Sequence, residues 1–428
     1  MNTHHSRTGH TYIRYTLDLP FRASSLALAM LTVLPQAHAA GSLMDALTYG
    51  SVSGQLRYRY ENVDQEGFTK DANASTLRTQ LGYTTDSYQG FNAMLQFENV
   101  AEIGHDNYNN TNNGQTQYPV VADPAGTEVN QAWLGYEAGY STSLKYGRQA
   151  INLDNQRFIG TVGWRQNEQS YDAFSLVNGS LPNTTVTAAY VTNVNRVFGE
   201  DHPNPLFRNY AMSSGLFNAT YKGFSAGSLT GYAYLLDFED APAISNESLG
   251  VRFDGKRNIG DYKLLYTAEY ASQSDYQDGA STIDADYRYA GLGAEVQGWQ
   301  VKANYELLGG DGVYGFSTPL ATLHAFNGWA DKFLTTPADG IEDIYLTVGK
   351  TLYEVALAGQ YHAFSSDNLG YDYGTEWDLS AGKKINKWFS VLLKYASYSG
   401  DDNATVVARN VALSQDVDKL WLQADVTF

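Results

Sequence analysis

Along most of the chain apolar and polar residues alternate one for one, in segments of about ten residues separated by Gly, Asn and Asp clusters. In Gly54–Tyr60, Leu56, Tyr58 and Tyr60 share one face while Gln55, Arg57 and Arg59 share the other. Leu77, Thr79, Leu81 and Tyr83 oppose Arg78 and Gln80, and Phe91, Ala93, Leu95 and Phe97 oppose Asn92, Met94, Gln96 and Glu98. Trp299, Val301, Ala303 and Tyr305 alternate with Lys302, Asn304 and Glu306; Phe389, Val391, Leu393 and Tyr395 alternate with Ser390 and Lys394. Successive side chains of a strand point to opposite faces, so each segment predicts a strand with one apolar and one polar side.

A soluble sandwich shares that alternation, and three further features separate the two. The segments match the ~9–11 residues a tilted strand needs to cross a bilayer, against five or six in soluble sheets. Tight connections interleave with long polar ones, as when one rim is periplasmic and the other extracellular. The chain also closes on an alternating strand, Leu420 to Phe428, with a terminal aromatic. Candidate strands begin near Ser51, Ser75, Gly90, Val129, Ser141, Gln169, Asn183, Gly215, Gly227, Asn246, Gly260, Ala285, Gly298, Ile341, Leu352, Thr375, Lys387 and Asp416. Long connections fall near 62–74, 101–128, 150–168, 193–214, 272–284, 309–340 and 399–415. The expected fold is therefore all-β: a transmembrane antiparallel barrel of about eighteen strands, with long extracellular loops and short periplasmic turns. Closure follows from hydrocarbon offering no water to unpaired amides, and a ring this wide is not filled by its own side chains.

The first 39 residues fall outside the pattern. Arg7, Arg14 and Arg22 precede a short apolar run from Leu26 to Leu34, then Pro35 and Ala37-His38-Ala39. That arrangement is expected to be a secretory signal peptide over 1–39, leaving the barrel at 40–428. Tyrosine (33) and glycine (40) are abundant, proline is scarce (10) and cysteine is absent. Tyrosine suits strands and membrane interfaces. The formal charge of −18 argues against nucleic acid as a partner, which needs a basic face. The expected partners are outer-membrane lipid and lipopolysaccharide, whose phosphates divalent cations would bridge to loop carboxylates (EDTA leaving loop mobility unchanged would count against the bridging), and an anionic solute.

The candidate chemistry is cationic. Arg57, Arg59 and Arg78 lie on polar strand faces that would line a lumen. Arg148, Asp154, Arg157 and Arg165 fall in or beside one dense connection, which makes sense folded into the barrel, where guanidinium groups would favour anionic solutes. The alternative is that these arginines pair with Asp154, Glu168 and Asp172 to hold the loop against the wall. A second dense loop, Ser317–Leu334, offers aromatics for a sugar ring, with Asp331 and Lys332 for hydroxyl or carboxylate; its alternative is a packed extracellular cap. Glu98, Glu295, Glu306, Glu354 and Asp378 on polar faces make the lumen mixed rather than uniformly basic. His105, His202, His324 and His362 are scattered, without a HExxH spacing or a nucleophile elbow, so neither catalysis nor a cofactor or metal is expected.

The stretches YGRQAINLDNQRFIGTVGWRQNEQSYDAF and TPLATLHAFNGWADKFLTTP resemble characteristic segments of the alginate-export family of outer-membrane porins. That resemblance implies an eighteen-stranded monomeric barrel with an arginine-lined pore passing an anionic polyuronate. It implies roles for Arg148, Asp154, Arg157, Arg165, Asp331 and Lys332; Arg57, Arg59 and Arg78 rest on the face assignment alone. The expected function is passive, anion-preferring transport. A general small-solute porin is the alternative within transport, and a surface adhesin or structural barrel the alternative outside it.

Overall fold

The alternating segments pair in chain order and close into a ring, in a computed structural model that describes residues 40–428. The signal-peptide assignment, 1–39, lies outside the described residues. The eighteen strands are β1 (Ser51–Gln65), β2 (Ala72–Thr84), β3 (Phe91–Asn107), β4 (Gly126–Glu137), β5 (Thr142–Gln149), β6 (Ser170–Asn178), β7 (Thr184–Asn195), β8 (Asn209–Phe224), β9 (Gly227–Leu236), β10 (Asn246–Ile259), β11 (Tyr262–Asp275), β12 (Asp284–Val296), β13 (Trp299–Leu308), β14 (Ile341–Leu352), β15 (Val355–Ser365), β16 (Asp372–Lys384), β17 (Phe389–Gly400) and β18 (Val417–Thr427). Each is antiparallel to the next, and β18 returns to β1 in register from Gln55 opposite Thr427 to Gln65 opposite Val417. Among the described residues no edge is left open, which is the condition for a sheet in hydrocarbon.

The face assignments set the rest. Leu56 and Tyr58 point outward while Arg59 is buried within; Leu95 and Phe97 point outward while Glu98 is buried. Trp299 and Val301 face out against buried Asn304 and Glu306, and Leu393 and Tyr395 face out against buried Lys394. Exposed Leu81, Leu134, Phe217, Leu249, Leu292, Leu346 and Leu422 continue the lipid-facing band round the ring. Short turns such as 297–298 and 353–354 make the periplasmic rim, where Gln297, Tyr353 and Glu354 adopt positive φ. Glu354, expected on a polar strand face, belongs to that turn, because β15 starts at Val355.

The periplasmic rim also carries α1 (Leu43–Thr48), capped by Ser42, whose Oγ accepts from the Asp45 amide at 3.1 Å. Tyr83 ties it to β2: its hydroxyl donates to Leu47 O and accepts from the Gly50 amide.

The extracellular side departs from the sequence expectation in detail. β1 and β3 run on to Gln65 and Asn107, beyond the segments in which alternation is clean. With 15 residues, β1 is roughly 50 Å long, more than a tilted strand needs to cross the membrane. β8 begins at Asn209 rather than near Gly215, its register to β7 slipping between Val191 and Asn193. Two further extracellular connections, 237–245 and 366–371, were not picked out by composition. Among the described residues no helix is long and apolar enough to span a bilayer.

Candidate functional site

Loop 150–169 crosses the lumen, and its contacts with the wall show why. On β1, Arg57 Nη1 donates to Gly163 O (2.8 Å) and Arg59 Nη1 to Trp164 O (2.6 Å). On the β8–β9 side, Asn218 Nδ2 donates to Asp154 Oδ2 (2.7 Å). On β13, Glu306 receives Arg157 Nε at 2.7 Å. These anchor points lie roughly a third of the ring apart, so the loop is strung across the interior rather than laid along one wall. Its apolar residues bury there: Phe158 packs against the rings of Tyr232, Tyr234, Tyr287 and Phe316.

Loop 309–340 meets it in the lumen. Ile159 and Leu320 form a parallel bridge, with the Gly160 amide donating to Leu320 O (2.9 Å) and the Thr322 amide to Gln156 O (3.0 Å). Gly160 permits this approach, since a Cβ there would collide with Thr322 Oγ1. Gly328, at φ +84°, turns the second loop where a Cβ would strike the Glu376 carboxylate.

Most of the singled-out arginines have carboxylate partners. Arg57 pairs with Asp425 (3.0 Å); Arg78 pairs with Glu168 (2.8 Å) and lies 3.7 Å from Glu98. Arg157 is buried on Glu306 and also donates to Asn327 Oδ1 (2.9 Å). Arg165 is held by Glu61 (3.2 Å) and Asp123 (3.7 Å). Arg148 stands apart near the mouth, between Asp172 (2.9 Å) and Glu200 (3.1 Å). Lys332 donates to the carbonyls of Ala412 and Gln415, both at 2.8 Å, and Asp331 sits between His324 Nδ1 and Lys419 Nζ, both at 2.7 Å. Arg57, Arg59, Arg78, Arg165 and Asp331 thus gather on the β1–β2 and β17–β18 side, with Asp154, Arg157 and Arg148 elsewhere in the lumen.

Arg59 differs from these. Its guanidinium is buried, hydrogen-bonds Gln423 Oε1 (2.6 Å) and lies 4.0 Å from the Trp164 ring centre, with no carboxylate at ion-pair distance among the described residues. Close by, Lys394 Nζ on β17 stands 3.7 Å from the Trp329 ring centre, 4.2 Å from Trp164 and 5.3 Å from Trp421. Trp164 comes from the first inward loop, Trp329 from the second and Trp421 from β18, so this one ammonium holds both loops to the wall through ring faces. His324 Nε2 accepts from Lys394 Nζ (2.6 Å) while the imidazole stacks on Trp164 at 4.4 Å. Burial, together with the charges of Lys394 and Arg165, keeps His324 well below its ordinary pKa, so the ring is neutral with its proton on Nδ1 facing Asp331. Asp331, which burial alone would push up, is held well below the carboxylate range by His324 and Lys419.

The adjoining wall, from β13 to β16, is acidic: Glu306, Asp343, Glu376 and Asp378 are all buried on β13, β14 and β16, with His362 Nδ1 3.0 Å from Asp343. The interior is therefore zoned. Lys394 and the tryptophans escaped the sequence reading as site residues. Their signal was present as a lone lysine on the polar face of a strand and tryptophans in both dense loops.

A closed eighteen-stranded antiparallel barrel with a lipid-facing apolar band and a polar lumen crossed by two loops defines an outer-membrane porin. The chain belongs to the alginate-export family, which matches residues 48–309. Solved outer-membrane channels share the fold at low identity. OccAB2 of Acinetobacter baumannii is 14% identical, with a TM-score of 0.69 covering 90% of this chain and 99% of that one. OccAB4 of the same organism is 14% identical (TM-score 0.67, 88% and 97% covered), and OccK9 (OpdG) of Pseudomonas aeruginosa is 14% identical (TM-score 0.67, 90% and 100% covered). No curated protein matches the chain.

Proposed function

We propose that this porin works as a monomer and passes small anionic solutes by diffusion, selecting them at the cations where the two inward loops meet the β1–β18 wall. The observation that carries this reading is Arg59 and Lys394: two buried cations facing tryptophan rings and neutral acceptors, with no carboxylate at ion-pair distance among the described residues. A cation matched by a carboxylate contributes little net field to a passing ion, whereas an unmatched one in a low-dielectric setting contributes strongly. The test is the reversal potential of single channels in a KCl gradient. An anion-selective reversal that shrinks in Arg59→Gln supports the reading; a cation-selective pore overturns it.

A second reading, export of a polyuronate strand, is favoured by the family to which the chain belongs. A polymer would have to displace loops fixed by the buried pairs Arg157–Glu306 and Arg165–Glu61. Block of single-channel current by alginate oligomers, graded with chain length, would favour it over the small-solute reading.

A further inference from the structure

A cavity of about 420 Å³ opens at the extracellular mouth above the two inward loops. Its volume is that of a small-molecule site. Phe68, Val162, Phe198 and Leu323 are among its apolar walls. Its cations are of two kinds. Arg165 and Lys419 are neutralised by Glu61, Asp123 and Asp331. Arg196 and Lys332 are not: Arg196 donates to the Leu206 carbonyl and lies against the rings of Tyr210 (4.3 Å) and Phe198 (4.9 Å), and Lys332 meets two carbonyls. An ammonium has three donors and a guanidinium five, so both keep N–H groups for a ligand.

The other polar groups at this cavity are committed within the protein. Gln169 Nε2 donates to Gly160 O and Tyr171 Oη, both at 2.9 Å, and His324 and Asp331 bind each other; the exception is the Gln65 amide, whose side chain has no partner among the described residues. A hydroxyl-rich sugar acid would be desolvated here without partners for most of its hydroxyls, a heavy penalty. An apolar body carrying one carboxylate meets neither difficulty.

We propose that the extracellular mouth holds a binding site for a small amphipathic monocarboxylate, its apolar ring against Val162, Phe198 and Leu323 and its carboxylate between Arg196 and Lys332. The inference rests on the small-anion reading and names the class of solute it favours. The discriminating experiment is calorimetric titration of the full-length porin in detergent with benzoate, glucuronate and benzyl alcohol. Each probe is built on one six-membered ring; the first two share a charge, and the first and third an apolar ring. Saturable benzoate binding at least about tenfold tighter than either of the others is expected. The double variant Arg196→Gln/Lys332→Gln is expected to lose about tenfold in benzoate affinity, with its barrel checked by heat-modifiable migration on a gel. Should that variant fail to fold, Val162→Asn tests the apolar wall and is expected to weaken benzoate but not glucuronate. Glucuronate binding as tightly as benzoate, or benzoate affinity unmoved by either variant, overturns the site. The reversal potential of the same preparation separates the two claims. An anion-selective channel that ignores benzoate sinks the site alone; a cation-selective one that binds benzoate through Arg196 and Lys332 upholds the site and sinks the small-anion reading.

Discussion

Arg157 and Lys394 are both buried cations inside the same barrel, yet they are solvated by opposite means. Arg157, carried on the first inward loop, trades water for Glu306 at 2.7 Å and Asn327. Lys394, carried on the wall, trades water for the faces of Trp164, Trp329 and Trp421 and the lone pair of His324. The first arrangement cancels charge and fixes geometry. The second fixes geometry with rings and a neutral acceptor, and sets no carboxylate at ion-pair distance among the described residues. In a channel that difference separates residues that shape the passage from residues that select what uses it.

The sharpest way to break the comparison is to remove the first kind. Arg157→Ala leaves Glu306 buried without its partner, and deleting one member of a buried pair costs about 3–5 kcal/mol. The expected result is a folded ring with loops 150–169 and 309–340 released: larger single-channel conductance, rapid proteolysis within both loops and unchanged far-ultraviolet circular dichroism. If conductance and proteolysis match the parent channel, the pair is not what holds the loops inward.

Asp339 inverts the case, a buried anion held by donors. Arg409 Nε and Asn410 Nδ2 (both 2.8 Å), Asn368 Nδ2 (2.7 Å) and Tyr371 Oη (2.9 Å) converge on its carboxylate, joining loop 309–340 to loops 366–371 and 401–416. Burial alone would raise this carboxyl; the donors outweigh it and hold it at about 2. A depressed acid stabilises fully above its unfolded value and loses that contribution as pH falls through the folded one. The clamp should therefore be intact above about pH 4 and fail as pH drops through about 2, a contribution of about 2 kcal/mol. The protection factors of the 401–416 amides at neutral pH should fall in Asp339→Asn to near those of the parent in acid. Equal exchange in both proteins at neutral pH would remove Asp339 from the clamp.

Lys394→Met sharpens the comparison from the other side, because methionine keeps a flexible apolar stem among the rings and loses only the charge. The barrel and loop protection should persist while the anion-to-cation permeability ratio falls about fivefold, the equivalent of about 1 kcal/mol. A loss of loop protection as large as that of Arg157→Ala would make Lys394 an anchor like the arginine and erase the distinction.

How much of this was legible beforehand follows the same division. The outer face was readable because a period of two against uniform lipid leaves one solution: Leu56, Leu95 and Leu393 had to point outward. The strand count and ring closure come from that rhythm. The lumen was not, because the partners there are distant in sequence. Arg157 lies 149 residues from Glu306, and Arg165 lies 104 from Glu61. No local spacing announces such pairs. Composition could say that loop 150–169 was too rich in apolar and charged groups for a solvated tip; it could not say which carboxylates would meet which arginines. Connections 237–245 and 366–371 hid because strands on either side keep alternating to their edges.

The smallest effect concerns Lys332, an unmatched cation on a loop. Burial, aided by the charge of Lys419, lowers its ammonium to about 8. A base with a depressed folded pKa carries a burial cost at low pH, relieved as pH rises from about 8 towards its ordinary 10.5. Thermal stability should accordingly edge upward across that window. Benzoate affinity should move the other way, falling about threefold between pH 7 and pH 9 as the ammonium is lost and Arg196 remains. In Lys332→Gln that fall should vanish. A parent protein whose benzoate affinity is flat across the same range would place Lys332 with the cations that only shape the mouth, leaving Arg196 as the one unmatched charge there.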